Sequence, residues 1–449
     1  MKSLIHSFVA IILLVSFAVS PTVHAENNGN KKPTNEQLIA IAKKTFQFYR
    51  NFTDPRTGLT VDEVRYDTGK AEKHEYTSPT NISMYLFSTI SANKLGIITK
   101  SEAIQRIQTT LDTLQKMKKW NGLFYNWYYT SNGSLKTDWG QFISTVDNGW
   151  LSAGLITVGQ AFPEFYDQTS KLVSSMKYSL LYDPAIGQFH GGYDVVQGSL
   201  TAYHFGMFYT EPRVASYIAI GKGDVPEDHW WKMYRTLPAD WDWQSQVPEG
   251  QNVIYDGIPV FEGHYSYKGI KYVPSWGGSM FEALMPSLVL KERELGINGL
   301  GLNNKNYVSL QITYAKDKGY PAWGISPSAI PNGYDALGVT PLGTSGYHDI
   351  SIVTPHASFL ALEYAPEAVI KNIHALKDLN TYGKYGFYDS VNVQTGEVAK
   401  AYLSLDQGMI MTSIANFVKN GVIRNYFNKD NIGKQPQHLL SEEVFSIGN

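Results

Sequence analysis

Helical segments of two kinds alternate along this chain. Residues 82–95, 147–161 and 406–419 are apolar on most sides, and a helix of that composition has to be surrounded by protein. Between and beside them lie stretches with one apolar face, at 101–118, 169–181 and 367–379. The clearest stripe is Ile104, Ile107, Leu111, Leu114 and Met117, with polar residues elsewhere in that segment. Two concentric helix layers satisfy both patterns: an inner ring covered on all sides and an outer ring with one face to solvent. Periodicity and capping signals place about twelve helices, near 36–51, 80–95, 101–118, 146–161, 168–181, 202–221, 227–236, 278–295, 304–318, 351–363, 366–378 and 405–419. The expected fold is therefore all-α, an (α/α)6 toroid with long irregular loops, in one domain over 34–430. The capping boxes Thr34-Asn35-Glu36-Gln37 and Thr99-Lys100-Ser101-Glu102 are expected to open two of the helices. Leu237 to Val273 and Ala322 to Gly346 read as long irregular loops, and loops of that length in compact domains are commonly functional. Residues 431–449 read as a C-terminal tail.

The amino terminus is of another kind. Lys2 precedes an apolar run from Phe8 to Val19, and Val23-His24-Ala25 puts small residues at the usual cleavage positions. This predicts a signal peptide over 1–25, cleavage after Ala25, a disordered leader over 26–33 and a secreted product without a membrane span. The chain has no cysteine, which excludes thiol catalysis and cysteine metal sites. Its net charge of −2 from 38 basic and 40 acidic residues offers no basic face for nucleic acid.

One phrase occurs twice. Gly122-Leu123-Phe124-Tyr125-Asn126-Trp127-Tyr128 leads to Asp147-Asn148-Gly149, and Gly386-Phe387-Tyr388-Asp389 leads to Asp406-Gln407-Gly408. A third Gly-aromatic loop, Gly187-Gln188-Phe189-His190, stands between them. Carboxylates beside clustered aromatic rings suit a sugar site, because aromatic faces stack on pyranose rings and carboxylates do acid/base work on glycosidic bonds. Four acids are candidate catalytic residues: Asp147, Glu211, Glu282 and Asp406. Asp147 and Asp406 could equally be helix N-caps, and Glu211 could be an ion-pair partner of Arg213. Glu282 sits in so apolar a segment that it must be paired or functional. Tyr128, Trp127, Trp150, Trp276, Trp323 and Tyr388 are candidate sugar platforms, each alternatively a core residue, with Asn148 and Glu262 as further binding candidates. No Gly-x-Ser-x-Gly, His-Glu-x-x-His or phosphate loop is present. His190, His204, His264, His348 and His356 are scattered without ligand spacing, so no metal is indicated and no cofactor is expected.

Several stretches resemble the glycoamylase-like domain of secreted endo-β-1,2-glucanases and of the cyclising part of cyclic β-1,2-glucan synthases. They are Thr77-Ser78-Pro79-Thr80-Asn81-Ile82-Ser83-Met84-Tyr85-Leu86, Phe124 to Tyr128, Ser144 to Gly149, Ala215-Ser216-Tyr217 with Gly221 to Pro226, Ser275 to Pro286, and Trp323-Gly324-Ile325-Ser326. The resemblance implies an (α/α)6 fold and glycosidic-bond cleavage or transfer. It puts the acid at Glu211, the base near Asp406, and in cyclising relatives a further acid around Glu282. Pro327 stands where the cyclising relatives carry a Glu. The expected activity is glycoside hydrolysis within a β-glucan or related exopolysaccharide, by a monomer whose partner is the oligosaccharide or polysaccharide itself. The alternatives are a transglycosylase, a polysaccharide lyase using Tyr203 and His204, and a carbohydrate-binding protein that kept only the groove.

Overall fold

The chain folds by stacking helix pairs, as the alternation requires. The computed structural model describes residues 28–448, Asn332 excepted, so the signal-peptide reading lies outside the described residues. Its helices are α1 (Asn28–Phe52), α2 (Pro79–Lys94), α3 (Lys100–Lys116), α4 (Thr145–Ala161), α5 (Tyr166–Ser175), α6 (Arg213–Lys222), α7 (Asp228–Lys232), α8 (Met280–Leu284), α9 (Glu292–Leu295), α10 (Leu300–Asp317), α11 (Pro355–Leu360), α12 (Pro366–Asp378), α13 (Ser404–Val418), α14 (Val422–Phe427), α15 (Asn431–Lys434) and α16 (Gln437–Glu442). The structure is helix-rich but carries many two- and three-residue strands as well.

The wholly apolar segments are the buried ones. Nearly every residue of α2, α4 and α13 is covered, and α6, α8 and α11 are short and covered too. These six meet in chain order. Helix α2 packs on α4, α4 on α6, α8 on α11, α11 on α13, and α13 back on α2. The step from α6 to α8 is made by Arg213, which donates to the carbonyls of Glu282 (3.1 Å) and Ala283 (2.6 Å). The one-faced helices α3, α5, α10 and α12 lie outside, against α2, α4, α8 and α11.

The repeated phrase is a packing module. Each Gly-aromatic loop is a tight hairpin whose glycine takes a positive φ: Gly122 81°, Gly187 72° and Gly386 93°. The amide after each aspartate then ties the hairpin to the helix. Asn148 exchanges hydrogen bonds with the Phe124 backbone (2.7 and 2.9 Å), and Gln407 Nε2 donates to Phe387 O (3.1 Å). The glycine that follows is where the next buried helix crosses. A Cβ on Gly149 would sit 2.5 Å from Ala215 Cβ, and one on Gly408 would sit 2.4 Å from Met84 Cβ.

Four expectations give way. Helix α1 runs back to Asn28, so Thr34 lies inside it, not at its cap, and the expected leader is partly helical. The expected helix 202–221 begins only at Arg213, because 202–212 folds as turns that put Glu211 ahead of the helix. The expected helix 278–295 breaks at Pro286 into α8, a 3-10 turn and α9. The stretch 237–273 is not irregular throughout: Glu249–Tyr255, Ile258–Tyr267 and Ile270–Tyr272 form an antiparallel sheet turned by Asp256-Gly257 and Lys268-Gly269. The C-terminal segment 431–448 packs onto the rest of the fold. Leu439, Leu440, Phe445 and Ile447 are buried, and Glu443 is enclosed with Arg235 (2.5 Å) and the Trp230 indole N–H (3.2 Å).

Candidate active site

The buried helices present their N-terminal ends to one region, and the acids collect there. In α4 the N-cap is Ser144, whose Oγ accepts from the Asp147 amide, and Asp147 stands three residues into the helix. Asp406 holds the same position in α13, after Leu403. Neither is an N-cap. Both point from a first turn, where the partial positive charge of the helix end favours an anion. The Asp147 carboxylate accepts from Thr80 Oγ1 of α2 (2.5 Å) and from the Asn126 amide nitrogen (2.9 Å), whose oxygen accepts in turn from Trp127 Nε1 (3.1 Å). Beside Thr80, Asn81 donates to Asp62 (2.7 Å).

Glu211 is not the partner of Arg213. That guanidinium is fully buried on Glu292 (2.8 Å) and also donates to Thr210 O (3.0 Å), the residue before Glu211. Arg213 therefore fixes the Glu211 turn and the α8 backbone with one side chain. Among the described residues the Glu211 carboxyl forms no ion pair. Burial, and next the nearby Glu282 carboxylate, push it up to about 8, with Asp147 adding to the effect. Glu282 is the paired alternative foreseen for it: its carboxylate completes the α8 capping box and accepts from Ser275 Oγ, Gly277 N, Ser279 N and Ser279 Oγ. Burial still raises its proton affinity above the ordinary value against those bonds.

Sequence reasoning missed three members. Asp389, at the end of the Gly386-Phe387-Tyr388-Asp389 phrase, faces Asp406, and His356 of α11 completes a fully buried cluster with atoms within 4.8 Å of one another. Asp389 accepts from Ala329 N (2.6 Å). Its other oxygen and Asp406 Oδ2 meet no donor among the described residues, so a proton shared between the two carboxyls is what reconciles them. Burial, then the facing carboxylate, holds Asp406 well above the ordinary aspartate value, while burial lifts Asp389 to about 6. Burial drives His356 down to about 3, so its 3.5 Å approach to Asp406 is not an ion pair. Asp62 is the third, lifted by burial to about 6. The signal for Asp389 was present, since the echo already contained it. Tyr334, at the hairpin Ser328–Ile330/Gly333–Asp335, stands over this group. The residue is 60% exposed, yet desolvation, then Asp406, Asp389, Asp62 and Glu211, raises its phenol far above normal. An open mouth crowded by protein on its walls accounts for both.

The aromatic candidates divide. Trp127 packs edge-on to Tyr76 and Trp139 and lines a cavity of about 240 Å³ with Asn126, Lys136 and Phe142. Because Asn126 also holds Asp147, that cavity borders the acid cluster. Trp276 and Tyr388 are part-covered, Trp276 against the exposed Trp243. Trp150, Trp323 and Tyr128 are buried, and the Tyr128 hydroxyl is spent on Lys118 O (2.7 Å). Asn148 is the buried hairpin tie described above. Glu262 lies away from the cluster, enclosed with Arg235 (3.7 Å) and Glu443; burial, then Glu443, pushes it up to about 8. These five present no open face to a sugar. His190 and His204, read as scattered, are brought together with Asp183.

Residues 261–431 match the family model described as putative glucoamylase, and 40–203 match a family of unknown function. The glycoamylase-like match thus rests on the segment 261–431. It is 24% identical to the cyclic beta-(1,2)-glucan synthase NdvB of Rhizobium meliloti over 91% of its own length and 18% of that protein's. It is 21% identical to an exo beta-1,2-glucooligosaccharide sophorohydrolase of Parabacteroides distasonis, over 91% of this chain and 58% of that one. The chain thus spans about a fifth and about three fifths of these relatives. Its fold is that of the endo-beta-1,2-glucanase from Chitinophaga pinensis: TM-score 0.71 at 17% identity, covering 91% of this chain and 98% of the other. Among the described residues no helix is long and apolar enough to cross a membrane.

Proposed function

We propose that this protein is a glycoside hydrolase that cleaves β-1,2-glucan or a closely related β-glucan on an (α/α)6 toroid. The observation that carries the reading is Glu211: a carboxyl without an ion pair among the described residues, kept protonated to about pH 8 beside Glu282 and Asp147. A general acid needs its proton at the working pH and an approach for the glycosidic oxygen. Glu211 protonates the leaving oxygen. The Asp406–Asp389 pair carries one negative charge and takes a proton from water, directly or through a substrate hydroxyl. Asp147 orients sugar hydroxyls, Glu282 sustains the proton on Glu211, and Trp127, Trp276 and Tyr388 stack on sugar rings. Similarity to a cyclic β-1,2-glucan synthase, an exo-acting sophorohydrolase and an endo-β-1,2-glucanase supports the substrate class. It also gives a second reading, transfer to a sugar hydroxyl in place of water. The protein acts as an exported monomer after loss of residues 1–25.

Incubation with linear β-1,2-, β-1,3- and β-1,4-glucans, followed by product analysis, tests this. Short linear products from the β-1,2-glucan are expected, and none from Glu211→Gln. Cyclic or lengthened products would favour transfer. No product from any glucan, or a Glu211→Gln variant as active as its parent, would defeat the proposal.

A further inference from the structure

The three-residue group Asp183, His190 and His204 lies outside the acid cluster. Asp183 closes the strand Tyr182–Asp183, His190 follows its partner strand Gln188–Phe189, and His204 bridges His190 from the antiparallel segment alongside. His204 Nε2 is 3.1 Å and His190 Nε2 3.8 Å from the same oxygen, Asp183 Oδ2, and the three atoms lie within 4.8 Å of one another. Atoms bound ~2.0–2.1 Å from a tetrahedral Zn²⁺ sit roughly 3.3 Å apart. The two separations to Asp183 Oδ2, 3.1 and 3.8 Å, bracket that value, so small side-chain adjustments would bring the three atoms to corners of a tetrahedron.

The tautomer agrees. His190 Nδ1 is 2.7 Å from the carbonyl of Thr201. A carbonyl only accepts, so Nδ1 carries a hydrogen, and Nε2 is the ring atom left to face Asp183 Oδ2. This is the outer-shell arrangement that metal-bound histidines use to fix their ring. The two imidazole rings lie 4.1 Å apart, tilted by 37°, so both approach the same carboxylate from one side. Asp183 Oδ1 is engaged by the Ala185 amide (2.9 Å), so Oδ2 is the oxygen left to bind. The side chains are 15–23% exposed, so solvent reaches the cluster.

We propose that Asp183, His190 and His204 bind one Zn²⁺ ion with a water as fourth ligand. The ion ties the 199–211 segment, which runs into Glu211, to the hairpin 182–189. The inference is independent of the reaction assigned to the acid cluster, and it departs from the expectation that histidines here are unconnected.

The test uses tag-free full-length protein stripped with EDTA and titrated with ZnCl₂, followed by calorimetry, elemental analysis and thermal melting. Saturable uptake of one equivalent with a rise in melting temperature is expected. His204→Ala and Asp183→Asn should each lose that uptake and that rise, while His438→Ala, on an unrelated surface, keeps both. Asp183→Asn keeps the side-chain shape and decides the matter should His204→Ala fold poorly. Uptake only at millimolar zinc, or uptake unchanged in Asp183→Asn and His204→Ala, overturns the proposal and leaves a plain His–Asp hydrogen bond.

Discussion

Glu211 carries a pH dependence of both stability and rate. Its folded value, about 8, lies above that of an exposed glutamate. The contribution of this group to stability is therefore fully present below the unfolded value, near 4.3, and is lost as pH rises through about 8. Glu211→Gln has no proton to lose. It should be more stable than the parent at pH 9 by up to a few kcal/mol, at about 1.4 kcal/mol per tenfold change in proton affinity, and little different at pH 5. Urea melts at the two pH values check this; equal gaps would mean that Glu211 ionises freely. Turnover should fall ~10²–10⁴-fold in the same variant. The parent should lose activity above about pH 8, as Glu211 deprotonates, and below about 6, as the Asp389–Asp406 pair loses its single charge. Asp389→Asn removes the carboxyl that carries the pair's charge near pH 6 and leaves Asp406, held up chiefly by burial, to ionise alone. The acidic limb of the kcat/KM profile should then move to higher pH, whereas Asp406→Asn should abolish turnover. An unmoved limb would detach Asp389 from the pair.

At the scale of elements, two buried guanidinium groups join parts of the chain that short loops leave apart. Arg213 holds Thr210, the α8 carbonyls and Glu292 together. Arg213→Ala strands Glu292 as a buried charge, and such a break costs ~3–5 kcal/mol. Thermal melting should show it. Arg235 does the same for the C-terminal segment through Glu443, so deletion of 437–449 should destabilise the fold by a comparable amount. A melting temperature unchanged by the deletion would make that segment an ornament. The alternation of buried and one-faced helices was legible because periodicity reports burial directly, and most helix positions followed from it. What escaped it was decided by contacts across the sequence. Arg213 selects Glu292 over its neighbour Glu211, a choice that no local pattern encodes. Ser144 takes the cap that Asp147 could have taken. Asn148 and Trp150 looked like ligand contacts because polar and aromatic residues near a site serve equally to fasten its walls. The sheet at 249–272 was legible in principle, since Asp256-Gly257 between alternating residues is a hairpin signal; the density of aromatics masked it.

At the scale of the whole molecule, the convergence of buried helix ends concentrates Asp62, Asp147, Glu211, Glu282, Asp389 and Asp406 at one mouth without an equal number of cations. The consequence is a filter on ligand ionisation. A neutral glucan meets hydrogen-bonding groups. A polymer bearing uronate, sulfate or succinyl substituents brings further negative charge into a poorly hydrated space that already forces protons onto its own acids. Substituted glucans should show at least ~10-fold lower kcat/KM than the unsubstituted chain in dilute buffer, on the order of 1.4 kcal/mol. The gap should narrow as NaCl shortens the range of the repulsion. Equal rates on both, indifferent to ionic strength, would mean that the mouth is electrically open.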